Sequence, residues 1–406
     1  MAQPTVSAPK KVFYLLLAFL GLVITPYIGA YIHVGGVFDK HYFDFPPLSA
    51  ELIYKDQTPA NGGFSWTVFW GVMVISFLTL LLYVFPRLFG FKAPPAVAKP
   101  PAPRPRVPFP AWFWAGTAVW AVTAIFLAGH FTSPKWFLNW AYIPLYWGFT
   151  FMLDGIVYKR TGGRSIFNNA PQELVGIGVA SIFGWLIFEY LNFFVQEYWY
   201  YPIGGVVPDD EWYTYAIFAS SALMPLSFQW FSLFNTFPGW VAKYRYGPKI
   251  SLGRTAQVGL LVAAFAALFL MPMFPTYLCP VIWLAPLIIL TVALDLLGIW
   301  TPFTPIRNGV WTPVLFLALT YLVEGFLLEG QNYMSATHVD GEAHTDYLGY
   351  WVYNVPFVDR FHVFEMPVAG FYGYLPFGIY CLVWWIFFAY LLGIPSNFAK
   401  YEDPVY

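Results

Sequence analysis

The chain has 406 residues, of which 59% are hydrophobic, 22% are aromatic and only 10% are charged. A soluble domain carries roughly 25% charged residues, so this composition excludes a chain that covers its whole surface with polar groups. The net charge of −1, with no basic cluster beside the aromatic residues, predicts no nucleic-acid partner. Cys279 and Cys381 lie inside apolar runs and predict no disulfide framework.

Ten apolar stretches reach or approach the roughly 20 residues that a transmembrane helix needs. The runs are continuous rather than alternating, which favours helices over strands. The sequence therefore predicts an all-α integral membrane protein with about ten transmembrane helices. The predicted spans are 12–32, 64–86, 110–131, 138–158, 173–197, 213–235, 256–274, 276–299, 312–331 and 367–394.

The distribution of basic residues predicts that both termini are cytoplasmic. With the N-terminus inside, all but four of the 20 basic residues fall in inner segments. Such a bias follows the positive-inside rule and supports the count of spans. We expect the protein to lie in a plasma membrane, as in a bacterial inner membrane, with lipids as its immediate partners. The four basic residues left outside are Lys40, Lys55, Lys135 and Arg360.

The sequence divides into four regions. Residues 1–92 predict an N-terminal pair of transmembrane helices, and 93–108 form a Pro-rich basic linker. Proline makes such a linker extended, and its basic residues are expected to contact anionic headgroups on the cytoplasmic side. Two units of four helices follow, 109–250 and 251–406, the second with an inserted outer loop at 333–364.

Paired residues in the last two regions predict an internal duplication. Two pairs are 140 or 141 residues apart and two are 151 or 152 apart, as one insertion between them would produce. Because both units start on the same side, the repeat would be parallel, with its axis along the membrane normal. The alternative is coincidence among similar apolar helices. The pairs are Asp154 and Asp295, Glu189 and Glu329, Trp199 and Trp351, and Pro225 and Pro376.

Carboxyl groups inside a membrane are costly, so those within the spans are candidate catalytic residues. Asn192 and Asn332 follow Glu189 and Glu329 by three residues, which places each pair on one helix face. A carboxyl held by an amide among aromatic rings could act as a general acid or base. The candidate acids are Asp154, Glu189, Asp295, Glu324 and Glu329.

A structural role is the alternative for each acid, because a buried carboxyl can hold helices together by hydrogen bonds. For Asp154 and Asp295 we favour the structural interpretation, whereas both interpretations stay open for Glu189 and Glu329. Aromatic residues downstream of the two glutamates are the predicted substrate-binding residues. They are Trp199, Tyr200, Trp351 and Tyr353, to which we add Glu365.

The inserted outer loop carries a set of candidate metal ligands. His338, Asp340, Glu342 and His344 alternate along it, and all are residue types that bind divalent cations. A solvated loop is the alternative. The sequence names no cofactor, because no histidine lies in mid-span for haem and no nucleotide-binding glycine motif is present.

One segment of the second unit resembles the lycopene-cyclase-type domains of carotenoid synthesis. In those membrane bundles a helix acid is followed by a Trp-x-aromatic-Asn element and then by a Pro-x-Glu-Glu motif that opens the next helix. Here 351–354 read Trp-Val-Tyr-Asn and 364–367 read Phe-Glu-Met-Pro, with a single glutamate, Glu365. The resemblance implies tandem helical units and an isoprenoid substrate.

Three functions are compatible with these patterns. The first is an intramembrane acid/base enzyme that acts on an isoprenoid or lipid, with aromatic faces stabilising a developing cation. The second is a structural or accessory subunit, which binds other membrane proteins through the first helix pair and the linker. The third is a proton-coupled carrier with the repeated acids as proton sites.

Overall fold

The computed structural model describes most of the chain, including all of the predicted spans except the end of the fifth. The centre of the predicted linker, 96–103, and the side chains of Asp209 and Glu342 lie outside the described parts. The described residues are 7–36, 63–95, 104–195, 198–202, 207–340 and 342–399.

The described chain is mostly helical, which confirms the all-α class in outline. In chain order its α-helices are α1 (Ala8–His33), α2 (Trp66–Val84), α3 (Ala111–Ala128), α4 (Lys135–Trp140), α5 (Tyr142–Thr161), α6 (Ile166–Asn169), α7 (Pro171–Asn192), α8 (Asp209–Ser220), α9 (Leu223–Asn235), α10 (Pro238–Lys243), α11 (Arg254–Leu270), α12 (Pro275–Leu278), α13 (Val281–Leu296), α14 (Thr312–Met334) and α15 (Tyr374–Leu392).

Within the described residues, seven helical segments are long and apolar enough to cross a membrane, judged by length and composition. The shorter α11 and α13 are also apolar. Each of the ten predicted spans overlaps one or two of the observed helices. The seven segments are Ala8–His33, Trp66–Val84, Ala111–Ala128, Pro171–Val195, Asp210–Asn235, Thr312–Met334 and Gly370–Leu392.

The ends of the helices follow local chemistry. Pro171 opens α7 at its first position, where a missing N–H costs nothing. Gly162 ends α5 with φ 78° and Gly393 ends α15 with φ 67°, the left-handed conformation that glycine adopts without a steric penalty. The last predicted span begins later than expected, because Met366–Pro367 is a strand and Gly370–Gly373 a 3-10 turn.

Three small antiparallel sheets accompany the helices in the part of the chain that the structure describes, and each has two strands of two or three residues. The sheet of β1 and β4 joins two distant parts of the chain, with Trp199 opposite Tyr353 and Tyr200 opposite Val352. The other sheets pair β2 with β3 and β5 with β6. The strands are β1 (Trp199–Tyr200), β2 (Thr337–Val339), β3 (Glu342–His344), β4 (Val352–Tyr353), β5 (His362–Val363) and β6 (Met366–Pro367).

The long helices pack in recurring pairs. Helix α3 packs against α5, and α11 packs against α13; α7 packs against α9, and α14 against α15. Helix α5 also contacts α9, as α13 contacts α15. Glycine permits the closest approaches: a side chain at Gly148 would clash with the backbone of α3, and one at Gly378 with the Leu317 carbonyl of α14. Small residues serve this purpose in membrane helix pairs.

The two N-terminal helices differ in their packing. Helix α1 lies along α11 and α13. Helix α2 buries only Phe69 and is held near its ends. At one end the Ser65 N–H donates to the Phe357 carbonyl at 2.9 Å, and at the other the Tyr83 hydroxyl donates to the Leu315 carbonyl at 2.6 Å. The middle of α2 presents apolar side chains outward.

Candidate functional site

Glu189 in the last turn of α7 accepts two hydrogen bonds on one oxygen. The Trp199 indole donates to Oε1 at 3.0 Å and the Tyr201 hydroxyl at 2.7 Å. Asn192, one turn further on, fixes the donor segment: its amide donates to the Trp199 carbonyl at 2.9 Å and its oxygen accepts from the Tyr198 N–H at 2.7 Å. Asn192 thus hydrogen bonds to the loop backbone and not, as the sequence predicts, to the carboxyl. It positions the segment whose indole contacts Glu189.

Glu329 in α14 has a matching set of donors and is fully buried. The Trp351 indole donates to Oε1 at 3.3 Å and the Tyr353 hydroxyl at 2.6 Å; the Tyr374 hydroxyl of α15 donates to the same oxygen. Oε2 has no hydrogen-bond partner among the described residues. All three donors are uncharged.

Asn332 repeats the function of Asn192. Its amide donates to the Trp351 carbonyl at 2.7 Å, and its oxygen accepts from the Trp351 N–H at 3.1 Å. The predicted acid, amide and indole of each unit are thus brought together. Sheet β1–β4 then places the two groups side by side, because Trp199 lies opposite Tyr353.

The tyrosine of the first group differs from the prediction. Tyr201 donates to Glu189, whereas Tyr200 lies opposite Val352 in the sheet. Side chains alternate between the faces of a strand, so residues two apart share a face. The first group therefore has the same Trp-x-Tyr spacing as Trp351 and Tyr353, a signal already present in the sequence.

A cavity of about 140 Å³ lies beside both groups. More than half of its lining residues are aromatic, and within the described chain no acidic or basic side chain lines it. The glutamates lie behind its wall, and their hydrogen-bond donors form part of that wall. These shared donors are Trp199, Tyr201, Trp351, Tyr353 and Tyr374.

The wall tyrosines Tyr201 and Tyr353 are held in the protonated form. Burial, together with the Glu189 carboxyl, raises the pKa of Tyr201 well above its ordinary value. Burial and the Glu329 carboxyl do the same to the pKa of Tyr353. Both phenols are therefore hydrogen-bond donors at neutral pH.

The candidate Asp154 lies away from the cavity and connects helices. It accepts from the Trp112 indole at 3.0 Å, the Ser165 hydroxyl at 2.7 Å, the Phe167 N–H at 3.1 Å and the Gln229 amide at 2.9 Å. These donors come from α3, from the α5–α6 region and from α9. The contacts fit the structural interpretation.

Asp295 also lies away from the cavity. It accepts from the Gln257 amide of α11 and forms an ion pair with Arg307. The carboxyl is 15% exposed and the arginine 46%. The structure thus brings neither aspartate to the two glutamates.

Two further buried glutamates do not line the cavity. Glu324 in α14 is 1% exposed, and neither of its carboxyl oxygens has a hydrogen-bond partner among the described residues. Glu173, which the sequence analysis did not single out, accepts from the Asn397 amide at 2.7 Å and from the Trp385 indole at 3.4 Å. It ties the segment after α15 to the start of α7.

The predicted substrate-binding residue Glu365 contacts the inserted loop instead of lining the cavity. It pairs with His338 Nε2 at 2.6 Å and accepts from the Tyr350 hydroxyl. Burial, followed by the hydrogen bond to Glu365, raises the pKa of Tyr350 above its ordinary value. Met366, the next residue, does line the cavity.

The two histidines among the candidate metal ligands lie on opposite strands of the β2–β3 hairpin. His338 lies opposite Ala343 and His344 opposite Thr337, so alternation turns the two histidines to opposite faces. The described side chains contain no group of three or more potential ligands that could hold a metal ion. Asp340 lies at the hairpin turn with φ 53°.

Several lining residues were not singled out from the sequence. Tyr374 comes from α15, and Tyr142 and Tyr146 come from α5. No local pattern separates these tyrosines from the many aromatic residues that anchor membrane helices at the interface.

Comparisons of this chain with protein-family models, curated proteins and solved structures found no match. The class of the protein therefore rests on its own features: an apolar helical bundle with seven potential membrane-crossing segments and an aromatic cavity beside two glutamates.

Proposed function

We propose that the chain is a ten-span plasma-membrane protein with both termini in the cytoplasm, built from two parallel units of four helices. The recurring helix pairs support the duplication: α3, α5, α7 and α9 have counterparts in α11, α13, α14 and α15. Contacts between units are reciprocal, since α9 packs on α14 and α15 packs on α7. The placement of basic residues supports the orientation.

The proposed function is that of an intramembrane acid/base enzyme acting on an isoprenoid or lipid. One observation carries it: the phenols and indoles that hydrogen bond to Glu189 and Glu329 line one aromatic cavity. An uncharged, mostly aromatic wall suits an apolar molecule. The resemblance of the Trp351 segment to lycopene-cyclase-type domains favours an isoprenoid.

The chemistry requires only proton transfer. Tyr353 donates its phenolic proton to a double bond of the substrate. Glu329, starting as the carboxylic acid, returns a proton to the phenolate and ends the step as a carboxylate. Aromatic faces stabilise the resulting carbocation. The Tyr201–Glu189 pair accepts a proton from a neighbouring carbon, and the double bond re-forms. One proton enters and one leaves, so no oxidant or reductant is needed.

Glutamine substitutions test this proposal. Wild type and the variants Glu189→Gln, Glu329→Gln and the double variant would be produced in a host supplied with unsaturated isoprenoids. Lipid extracts would be compared by mass spectrometry with those of cells that lack the protein. We expect the double variant to lose the new product while its thermal midpoint stays close to that of wild type.

The matched control is Glu324→Gln, which changes a buried acid of the same helix that does not line the cavity. This control should retain the product. Continued conversion in the folded double variant would contradict the enzyme proposal.

The exposed face of α2 favours a second candidate, an accessory subunit. This helix buries one residue along 19, although lipid alone would satisfy its apolar surface. Extraction in mild detergent followed by native mass spectrometry tests it. A partner protein at fixed stoichiometry, lost when α2 carries polar substitutions, supports the subunit; a monomer contradicts it.

A further inference from the structure

Two neighbouring buried hydroxyls in the cavity wall have no hydrogen-bond partner of ordinary geometry among the described residues. Tyr142 and Tyr146 lie one turn apart on α5, and their ring centroids are 4.9 Å apart. The residues are 5% and 2% exposed, and neither hydroxyl has a partner among the described residues. Both side chains line the cavity.

An unpaired buried hydroxyl is unfavourable, because it loses its hydrogen bonds to water without gaining a partner. Most buried polar groups are paired, so two neighbouring exceptions in one cavity wall need an explanation. An oxygen atom of a bound molecule would give both hydroxyls a partner.

The charge of the wall limits what that molecule can be. A buried anion requires a cationic partner or several strong donors, and the described lining offers no lysine, arginine or histidine. A carboxylate or phosphate head would have no counter-ion here.

The size of the cavity sets a further limit. Its volume of about 140 Å³ is close to that of an apolar cavity of roughly 150 Å³ known to bind benzene. A group about the size of one ring fits, while a longer chain attached to it must lie outside.

We infer that the cavity binds the ring-sized end of a neutral, apolar molecule whose single uncharged oxygen hydrogen bonds to Tyr142 and Tyr146. This inference rests on the proposed function, since it specifies the isoprenoid or lipid that the site accepts. Alcohols, ethers and ketones belong to the class, whereas acids and phosphate esters do not.

A series of probes with one skeleton tests the inference. Radiolabelled 4-octylphenol, octylbenzene and 4-octylbenzoate share a ring and a chain, and they differ only in the head. Binding to the full-length protein in lipid nanodiscs would be measured, with binding to empty nanodiscs subtracted. We expect the phenol to bind more tightly than octylbenzene, and the benzoate to show no saturable binding.

The double variant Tyr142→Phe/Tyr146→Phe should weaken binding of 4-octylphenol about 3- to 10-fold, the loss expected for one net hydrogen bond or more. Binding of octylbenzene should not change. Because these hydroxyls have no hydrogen-bond partner of ordinary geometry among the described residues, removing them should leave the thermal midpoint equal to or above that of wild type. Tyr380→Phe is the matched control: its hydroxyl is also buried and unpaired, but the residue does not line the cavity.

Saturable binding of the benzoate, or unchanged affinity of the double variant for the phenol, would overturn the inference. The assay needs no turnover, so its failure is separable from that of the enzyme proposal. Loss of the binding pattern with product formation intact would refute the ligand class alone. If the probes bind as expected but no product depends on Glu189 and Glu329, only the enzyme proposal is refuted.

Discussion

Trp199 and Tyr353 face each other across sheet β1–β4, and each donates a hydrogen bond to the glutamate of its own unit. The backbone pairing therefore connects Glu189 in α7 with Glu329 in α14. A shift of either strand would move an indole on one side and a phenol on the other. The two carboxyl groups thus belong to one site, although they are 140 residues apart in sequence.

The asparagines that hold this arrangement should be important for stability. Asn192→Ala and Asn332→Ala each remove two hydrogen bonds to backbone groups near the sheet. Each should lower the free energy of unfolding by about 1–3 kcal/mol, measured by thermal unfolding in detergent. Asn139→Ala, which loses only a 3.4 Å contact with Tyr215, is the control. Equal effects at all three sites would contradict the assigned role.

The two aspartates should respond differently to amidation. Asp154 is fully buried and accepts from four uncharged donors, so Asp154→Asn replaces an acceptor with a clashing donor and should cost about 2–3 kcal/mol. Asp295→Asn weakens a pair in which Arg307 is 46% exposed, and should cost about 0–1 kcal/mol. Chemical denaturation of both variants measures the two losses of stability. A larger loss for Asp295→Asn than for Asp154→Asn would contradict the environments described for the two aspartates.

Glu324 is expected to reduce stability. A buried carboxyl with no hydrogen-bond partner is unfavourable, so Glu324→Met should raise the free energy of unfolding by about 1–3 kcal/mol. Glu329→Met on the same helix removes a carboxyl that has three donors and should lower it. The thermal midpoints of the two variants show whether each substitution stabilises or destabilises the protein. A loss of stability in Glu324→Met would mean that this carboxyl has hydrogen-bond partners.

Alkaline pH should destabilise the protein because Tyr201 and Tyr353 then lose their protons. The pKa values of Tyr201 and Tyr353 are raised by burial and by the adjacent carboxyls. A tyrosine in the unfolded chain has a pKa of about 10, so the stabilisation is fully present below that pH and is lost as the pH rises towards the folded values. The thermal midpoint of wild type should therefore fall above about pH 10.

The variant Tyr201→Phe/Tyr353→Phe isolates this effect. It removes both titrating groups, so its midpoint should fall less steeply over the same pH range. Tyr14→Phe, at a tyrosine that is 48% exposed, should follow the wild-type curve. Parallel curves for wild type and the double variant would exclude these two residues as the cause.

Much of the helical framework could be predicted, because long apolar runs leave few alternatives to helices. The start of α15 could not, since Met366 and Pro367 are apolar but pair with β5. The placement of Glu189 and Asn192 on one face of α7 followed from helical periodicity, but the amide hydrogen bonds to the loop backbone and not to the carboxyl. The choice between Tyr200 and Tyr201 did not, because it depends on a strand two residues long whose partner lies 152 residues further along the chain.

The cavity itself was beyond sequence reasoning for a physical reason. Tyr142, Tyr146 and Tyr374 reach it from two helices that are far apart in sequence. Each has the local environment of an ordinary interfacial tyrosine among the chain's 29. Only tertiary packing distinguishes a tyrosine that faces a cavity from one that faces lipid.

The short sheet also limits how this protein can change in length. One residue inserted between Trp199 and Tyr201, or between Trp351 and Tyr353, would turn the phenol to the opposite face and away from its carboxyl. The hairpin of β2 and β3 lies outside the triplets Trp199–Tyr201 and Trp351–Tyr353. It can therefore lengthen or shorten without disturbing them. Insertions and deletions are therefore expected in the β2–β3 hairpin of the second unit. The tryptophan and tyrosine of each triplet are expected to stay two residues apart.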